Sequence, residues 1–459
     1  MSTKPASPIS IAIPASASRV DMMRIVWSLA WPAIMTFGLE SLVGLVDALM
    51  VGRLGATAVA GVGVGTQILH AVSVMNMALA TGTVALVARH VGANERHIAE
   101  AVVPQAIYVG LTMALAIAVP VMIWAPQLVS IFKVDAGVVD AGTGFVRMIM
   151  LGVPSMAMFA VIAAGLRAAG DMRTPLAIGA LVNVLNVVAA YTLIFGKFGL
   201  PALGVRGAAL ASSMAFTAGA LLALGSLLRP NSVLRLRRAG LAPNLSLGRR
   251  VVSVGTPTGM EQLLMQIGFL LYLGIAARYG TNAVAAYFIG VRILALSFLP
   301  GFGFSAAAST IVGQQLGARQ PHSAERSGWE ANRLAMVLMS IAGVVIFLFA
   351  RPIAELFIDD PEVVADAVSF IHVLAAAQPL MAADSTLGGA LRGAGDTRFP
   401  LLTVIVGFYV ARLGCAWLAA YVFSLSLAWV WAALLGDYLF RAALKAWRFK
   451  TGQWKRIAI

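Results

Sequence analysis

The sequence predicts an all-α membrane protein: twelve transmembrane helices in two six-helix bundles, related by a pseudo-two-fold axis along the membrane normal. Three observations predict it. Charge is too scarce for a water-soluble surface, apolar runs of spanning length recur along the chain, and the first half returns in the second at a constant offset of 225 residues.

Of 459 residues, 60% are hydrophobic and 11% are charged. Soluble domains carry about 25% charged residues, so most of this surface faces lipid. A spanning helix needs about 20 apolar residues. Twelve runs qualify, over 25–50, 58–85, 99–124, 138–163, 175–196, 206–228, 251–276, 283–313, 331–350, 363–388, 400–422 and 425–447. They are continuously apolar and rich in Ala, Leu and Met. An outer-membrane barrel would show alternating segments of about ten residues instead.

The net charge of +14 suggests nucleic acid until its distribution is read. With both termini cytoplasmic, the 33 Lys and Arg divide into 24 inside, 7 outside and 2 within the membrane, Arg292 and Arg412. The stretch from Arg229 to Arg250 holds six arginines and no acid, and Arg441 to Arg456 holds six more basic residues. The external loop carrying Glu355, Asp359, Asp360 and Glu362 is acidic. This is the positive-inside pattern of a multi-pass inner-membrane protein. Its basic partner surface is anionic lipid, not nucleic acid. The single cysteine, Cys415, excludes an intrachain disulfide and argues against a metal cluster. Residues 1–20 are rich in Ser, Ala and Pro without an apolar core. They read as a disordered cytoplasmic tail and not a signal peptide.

The repeat supports the topology. Leu166-Arg-Ala-Ala-Gly-Asp-Met-Arg-Thr-Pro175 returns as Leu391-Arg-Gly-Ala-Gly-Asp-Thr-Arg-Phe-Pro400, with seven of ten positions identical. The same offset maps Pro32 to Pro257, Gly55 to Gly280, Gly65 to Gly290, Gly92 to Gly317 and Pro154 to Pro379. Six helices per half is an even number, so the halves enter the membrane in the same direction, as in parallel-repeat transporters. The expected division is an N-terminal lobe over 21–228, a basic linker over 229–250, a C-terminal lobe over 251–448 and a basic tail over 449–459. Duplicated halves enclosing a central cavity suit alternating access.

Several motifs carry a resemblance across nearly the whole chain. Trp31-Pro32, Gly44-Leu-Val-Asp47 and Val51-Gly-Arg-Leu-Gly55 lie in the first predicted helix and its exit. Val91-Gly-Ala-Asn94 follows the second, Leu166 to Pro175 precedes the fifth, and Ile194-Phe-Gly-Lys-Phe-Gly199 ends it. Phe298-Leu-Pro-Gly-Phe-Gly303 and Val312-Gly-Gln-Gln-Leu-Gly317 mark the second half. In order and spacing the chain resembles the multidrug and toxic compound extrusion (MATE) family, in its DinF-like and NorM-like branches. The resemblance implies a cation-coupled antiporter. It implies that Asp47 is the coupling acid and that Asn186 neighbours it. Many members carry an acid four residues after this Asn, where this chain has Ala190, so a proton on Asp47 is the simpler mechanism. Glu261 resembles an acid common in the DinF-like branch. The acid of some NorM-like members falls on Met265 here, and Asp384 is out of register with their helix-ten acid.

Ionisable groups at membrane depth cost about 2.5–3.5 kcal/mol on insertion scales. Asp47 sits in the apolar run Leu42 to Met50, where burial disfavours its charged form and suits proton loading. The rival reading is a helix-end carboxylate wetted at the interface. Glu40 lies seven residues earlier on the same face, placed to bind cationic substrate or to pair with a base. Pro32 removes a helix hydrogen bond two turns before Glu40, and the expectation is either a bend that moves both acids or a static kink. Asn183 and Asn186 share a face, to coordinate a cation or to join helices. Glu261, Arg292 and Asp384 are candidate substrate contacts, with a Glu261–Arg292 ion pair as the alternative. Arg412 and His70 receive no role. The scaffold is duplicated but its chemistry is not: Asp47 maps to Tyr272, Glu40 to Met265, Asn183 to Phe408 and Asn186 to Ala411.

The sequence has no Walker-type phosphate loop, nucleophile constellation or metal cluster. An enzyme is not expected, and no cofactor beyond a coupling H⁺ or Na⁺. The expected activity is export of small amphipathic organic cations in exchange for that ion, by a monomer. The alternative is a flippase or exporter of a lipid-linked or amphipathic metabolite.

Overall fold

The computed structural model describes residues 18–237, 240–457 and 459. Up to residue 17, the expected disordered tail lies outside the described residues; Arg19 already opens the first helix. The described residues are helical without strands. They contain 12 helices long and apolar enough to cross a membrane.

The first half runs through α1 (Arg19–Gly52), α2 (Ala56–Gly92), α3 (Arg96–Ile123), a short α4 (Ala125–Ser130), α5 (Ala136–Ala168), α6 (Arg173–Phe195) and α7 (Val205–Leu228). The second runs through α8 (Leu245–Ala277), α9 (Thr281–Ser297), α10 (Leu299–Gly317), α11 (Pro321–Leu348), a short α12 (Ala350–Glu355) and α13 (Pro361–Gly393). It closes with α14 (Arg398–Val404), a π-helical stretch over Ile405–Leu413, α15 (Gly414–Trp417), a second π stretch over Leu418–Val422, and α16 (Leu427–Thr451). The offset of 225 carries α3 onto α11, α4 onto α12 and α5 onto α13 residue for residue at both ends. The turns repeat as well. Gly55 and Gly280 both take φ near 99°, and Gly170 and Gly395 take 93° and 90°. This region is open to glycine and strained for other residues.

Helix ends depart from the expected spans where apolarity stops being the criterion. α11 starts ten residues before the predicted 331, because its first turns carry Glu325, Arg326, Glu330 and Arg333. The single run 283–313 divides at Phe298. Pro300 lacks the N–H an interior turn would need, and it starts α10 instead. Asp360 caps α13 by accepting from the N–H groups of Glu362 and Val363, with Pro361 at the first helical position, where no N–H is required.

The chain forms two compact units, divided at different points from the expected lobes. The first takes Met35–Thr256; the second takes Pro257–Ile459 and the described residues up to Ile34. Both divisions cut a helix beside a repeated proline, Pro32 in α1 and Pro257 in α8. In the first unit the start of α8 packs on α2: a Cβ on Gly82 would strike the Val251 carbonyl, and one on Gly255 the Ala78 carbonyl. In the second unit the start of α1 packs on α10 and α11. Trp27 faces Phe304 with ring centroids 6.3 Å apart, and Arg19 bonds Glu330 at 3.0 Å. The covalent halves thus exchange the first turns of their leading helices.

The described residues of the linker are anchored to α3. Arg237 pairs with Glu100 at 2.8 Å. The Gln105 amide donates to the Gly240 and Ala242 carbonyls and accepts from the Asn244 N–H. The final residues of the expected linker already belong to α8. The expected tail is ordered too: Trp454 is buried and stacks on Phe449 at 4.6 Å. Within each unit one long helix is central, α5 against α2, α3 and α7, and α13 against α9, α10, α11 and α16.

Candidate functional site

In the first unit, α1 carries Asp47, α6 carries Asn186 and α7 carries Ser212. Asp47 is half-buried and Asn186 is buried. The amide orientation that satisfies every partner turns its nitrogen to the carboxylate. It then donates to the two Asp47 oxygens at 3.0 and 3.2 Å, and its oxygen accepts from the Ser212 hydroxyl at 2.8 Å. A carboxylate has about four lone-pair sites. One amide nitrogen leaves room on Asp47 for a proton or a small cation. Asn183, one turn earlier, is half-buried and has no hydrogen-bond partner among the described residues. The expected pair of amides therefore reduces to Asn186 here.

Glu40 is exposed, and Arg167 at the end of α5 is the charge acting on it. Pro32 lies inside a continuous α1. The second unit repeats the acid–arginine theme. Arg392 maps onto Arg167, and its Nη1 lies 3.1 Å from Glu261. Glu261 therefore does not pair with Arg292, which is exposed and makes no ion pair among the described residues. The partner comes from the repeated motif at the end of α13, 131 residues from Glu261.

Asp384 is also not an open substrate contact. It is 1% exposed. Lys445 Nζ lies 2.5 Å from its Oδ1 and Arg441 Nη2 lies 2.7 Å from its Oδ2. Asp437 continues the chain of charges, 3.8 Å from both Arg441 and Arg412. Arg412 is fully buried. Its guanidinium carbon sits 4.3 Å over Tyr272, 4.8 Å over Phe408 and 5.4 Å over Phe269. Cation–π contacts strengthen when desolvated, to about 2 kcal/mol.

Asp437, Arg441 and Lys445 form a charged unit with Asp384 that was not expected from the sequence. Arg441 and Lys445 fall in the basic stretch expected at the cytoplasmic end, yet both are buried. A signal was present: the three residues recur every fourth position inside an apolar run, which places them on one helix face. Among the described residues no group of three or more His, Cys, Asp or Glu is arranged to hold a metal ion.

Known proteins share this fold. The MatE family model matches residues 32–192 and again 257–430. The chain is 31% identical over 435 residues to the probable multidrug resistance protein NorM of Thermotoga maritima, covering 94% of this chain and 93% of that protein. Among solved structures, a MOP superfamily transporter from Pyrococcus furiosus superposes with a TM-score of 0.87 at 21% identity, over 96% of this chain and 100% of its own. A MATE structure in complex with MaD3S gives 0.87 at 22% identity, over 94% and 97%. At such identities these two speak for the fold. The two family matches begin at the repeated prolines and together span most of the sequence, and the chain is a member of the MatE family, a multi-pass membrane transporter and not an enzyme.

Proposed function

We propose that this protein is a multidrug efflux antiporter that exports small amphipathic organic cations in exchange for inward H⁺ or Na⁺ by alternating access. The observation that carries the reading is the contrast among the acids buried or half-buried at membrane depth. Glu261, Asp384 and Asp437 each face arginine or lysine. Asp47 faces the neutral amide of Asn186. An acid opposed by a neutral donor keeps the capacity to take up and release a cation. Asp47 with Asn186 is the coupling site, and Asn183 lines its approach on the same helix face. Glu40 offers negative charge to a cationic substrate and Arg292 contributes to the walls, whereas Glu261 is committed to Arg392 and Asp384 to Lys445 and Arg441. Pro32 bends α1 between the two conformations.

The driving force is adequate. One charge crossing about 100 mV releases about 2.3 kcal/mol, which sustains a substrate gradient of roughly 50-fold at 1.4 kcal/mol per factor of ten. The basic loops suit an inner-membrane orientation with both termini cytoplasmic, in contact with anionic lipid. We read the protein as a monomer. The test is efflux of a fluorescent organic cation from proteoliposomes, with proton and Na⁺ gradients imposed separately. Efflux that responds to neither gradient would remove the antiport reading. A second reading, transport of a lipid-linked or amphipathic anion, draws on Arg412, Arg441 and Lys445, three bases buried together in the second unit. A lipid-flipping assay on the same vesicles separates it.

A further inference from the structure

The repeat register places the two units' central polar groups in correspondence. Asp47 maps to Tyr272, Asn186 to Ala411 and Ser212 to Asp437. In the first unit those three positions form one hydrogen-bonded set, with contacts of 3.0, 3.2 and 2.8 Å. In the second unit the acid has moved from the leading helix to the last, from position 47 to position 437. Between Tyr272 and Asp437 stands Arg412, one residue beyond the counterpart of Asn186.

That shift of one residue has a structural cause. Arg412 lies within the π-helical stretch Ile405–Leu413. A π turn closes its hydrogen bond to the fifth residue instead of the fourth, so each such turn advances the facing position by about one residue. α6, the counterpart, is regular. The wider turn therefore presents residue 412 where α6 presents residue 186. Arg412 is fully buried, and none of its three guanidinium nitrogens has a hydrogen-bond partner among the described residues. Both Asp437 oxygens are buried without such a partner as well. The groups acting on Arg412 and Asp437 are Tyr272 and Tyr287 from α8 and α9, and Asp384, Tyr438, Arg441 and Lys445 from α13 and α16.

We propose that the second unit holds a latent monovalent-cation site at Asp437, kept permanently filled by the guanidinium of Arg412, while Arg441, also 3.8 Å from Asp437, is committed to Asp384 at 2.7 Å. The site is the counterpart of the Asp47 site, and the inference rests on reading Asp47 as the exchanging acid. One unit then exchanges its cation with solution, while the other carries a cation tethered to the chain. The tether sets the number of coupling ions per cycle. An exchangeable ion at both sites would raise that number by one.

The experiment counts ions. Full-length protein in proteoliposomes exports a fluorescent organic cation, and the ion-to-substrate ratio is read from the potential at which net flux stops. Arg412→Ala should raise the ratio by one relative to the unsubstituted protein. Arg412→Ala combined with Asp437→Asn should return it to the starting value. A transporting Arg412→Ala protein with an unchanged ratio overturns the proposal. Should Arg412→Ala fail to transport, its thermal unfolding midpoint decides. Millimolar guanidinium should raise it and equimolar urea, a neutral molecule of the same shape, should not. An equal response to both overturns the proposal. Asp47→Asn is measured in parallel. Undiminished coupling there would remove the first-unit assignment alone, because the Arg412 comparison is read within the second unit.

Discussion

Arg392 Nη1 lies 3.1 Å from Glu261, and its repeat counterpart Arg167 is the charge acting on Glu40. The acids are not themselves counterparts, since Glu40 maps to Met265 and Glu261 maps to Thr36. They sit one helix turn apart in the shared register. The arginine is present in both halves, while the nearby acid stands one turn away in the shared register. Both Glu261 and Arg392 are largely buried. Removing one partner of such a pair leaves a charge uncompensated, at a cost of about 3–5 kcal/mol. Glu261→Gln and Arg392→Gln should each lower the unfolding midpoint of the purified protein. Together they should cost less than the sum, with a coupling of about 0.5–3 kcal/mol. Strict additivity would argue that the pair is incidental.

Asp384 is held twice, by Lys445 and by Arg441. The two ends of this arrangement are unequal. Asp384→Asn strips both bases of their shared acid, whereas Lys445→Met leaves Asp384 paired with Arg441. The first substitution should destabilise by about 3–5 kcal/mol and the second by clearly less. Chemical denaturation in detergent, followed by tryptophan fluorescence, gives the order. The reverse order would place the main partner of Lys445 elsewhere.

Helix number, direction and repeat were legible because the causes are local or periodic. Apolar run length reports spanning, and the 225-residue register predicts that α13 mirrors α5. Asp47 was legible as an acid in an apolar run, and its family resemblance pointed to Asn186. The second-unit charges were not legible for a different reason. The partners of Glu261 and Asp384 lie 131 and 57 residues away, and only packing chooses between Arg292 and Arg392. Arg441 and Lys445 stand near the basic end of α16, where cytoplasmic cations are also expected. Their burial depends on the neighbouring helices. The π-helical turns around Arg412 leave no mark in an apolar run.

Glycines on α13 show how the halves diverge in packing. A Cβ on Gly389 would strike Ser305 and one on Gly393 would strike Ser309, each meeting the backbone of α10. Their counterparts on α5 are Ala164 and Ala168, both buried, so the first unit already accommodates that methyl group. Gly389→Ala and Gly393→Ala should therefore destabilise by about 1–3 kcal/mol each through overpacking. The reciprocal Ala164→Gly and Ala168→Gly should cost about 1 kcal/mol from helix propensity. Unfolding midpoints of the four proteins test the asymmetry. Neutral glycine replacements on α13 would mean that α10 can withdraw at little cost.

Asp47 gives the prediction closest to transport. Asn in its place keeps the shape of a protonated carboxyl group and cannot release a proton. Asp47→Asn should still bind the fluorescent cation, while proton-driven efflux from vesicles should fall at least about tenfold, equivalent to 1.4 kcal/mol of lost coupling. Asn186→Ala acts on the same site in a different way. The Asn186 N–H groups favour the ionised carboxylate, and a hydrogen bond to a charged group is worth about 1.5–3 kcal/mol. Without it, protonation competes better. Half-maximal efflux should then be reached at a higher external pH than in the unsubstituted protein, by roughly one to two pH units at 1.36 kcal/mol per unit. The direction is the diagnostic feature. A general loss of packing would lower efflux at every pH without moving the profile. A downward shift would mean that Asn186 does not act through Asp47.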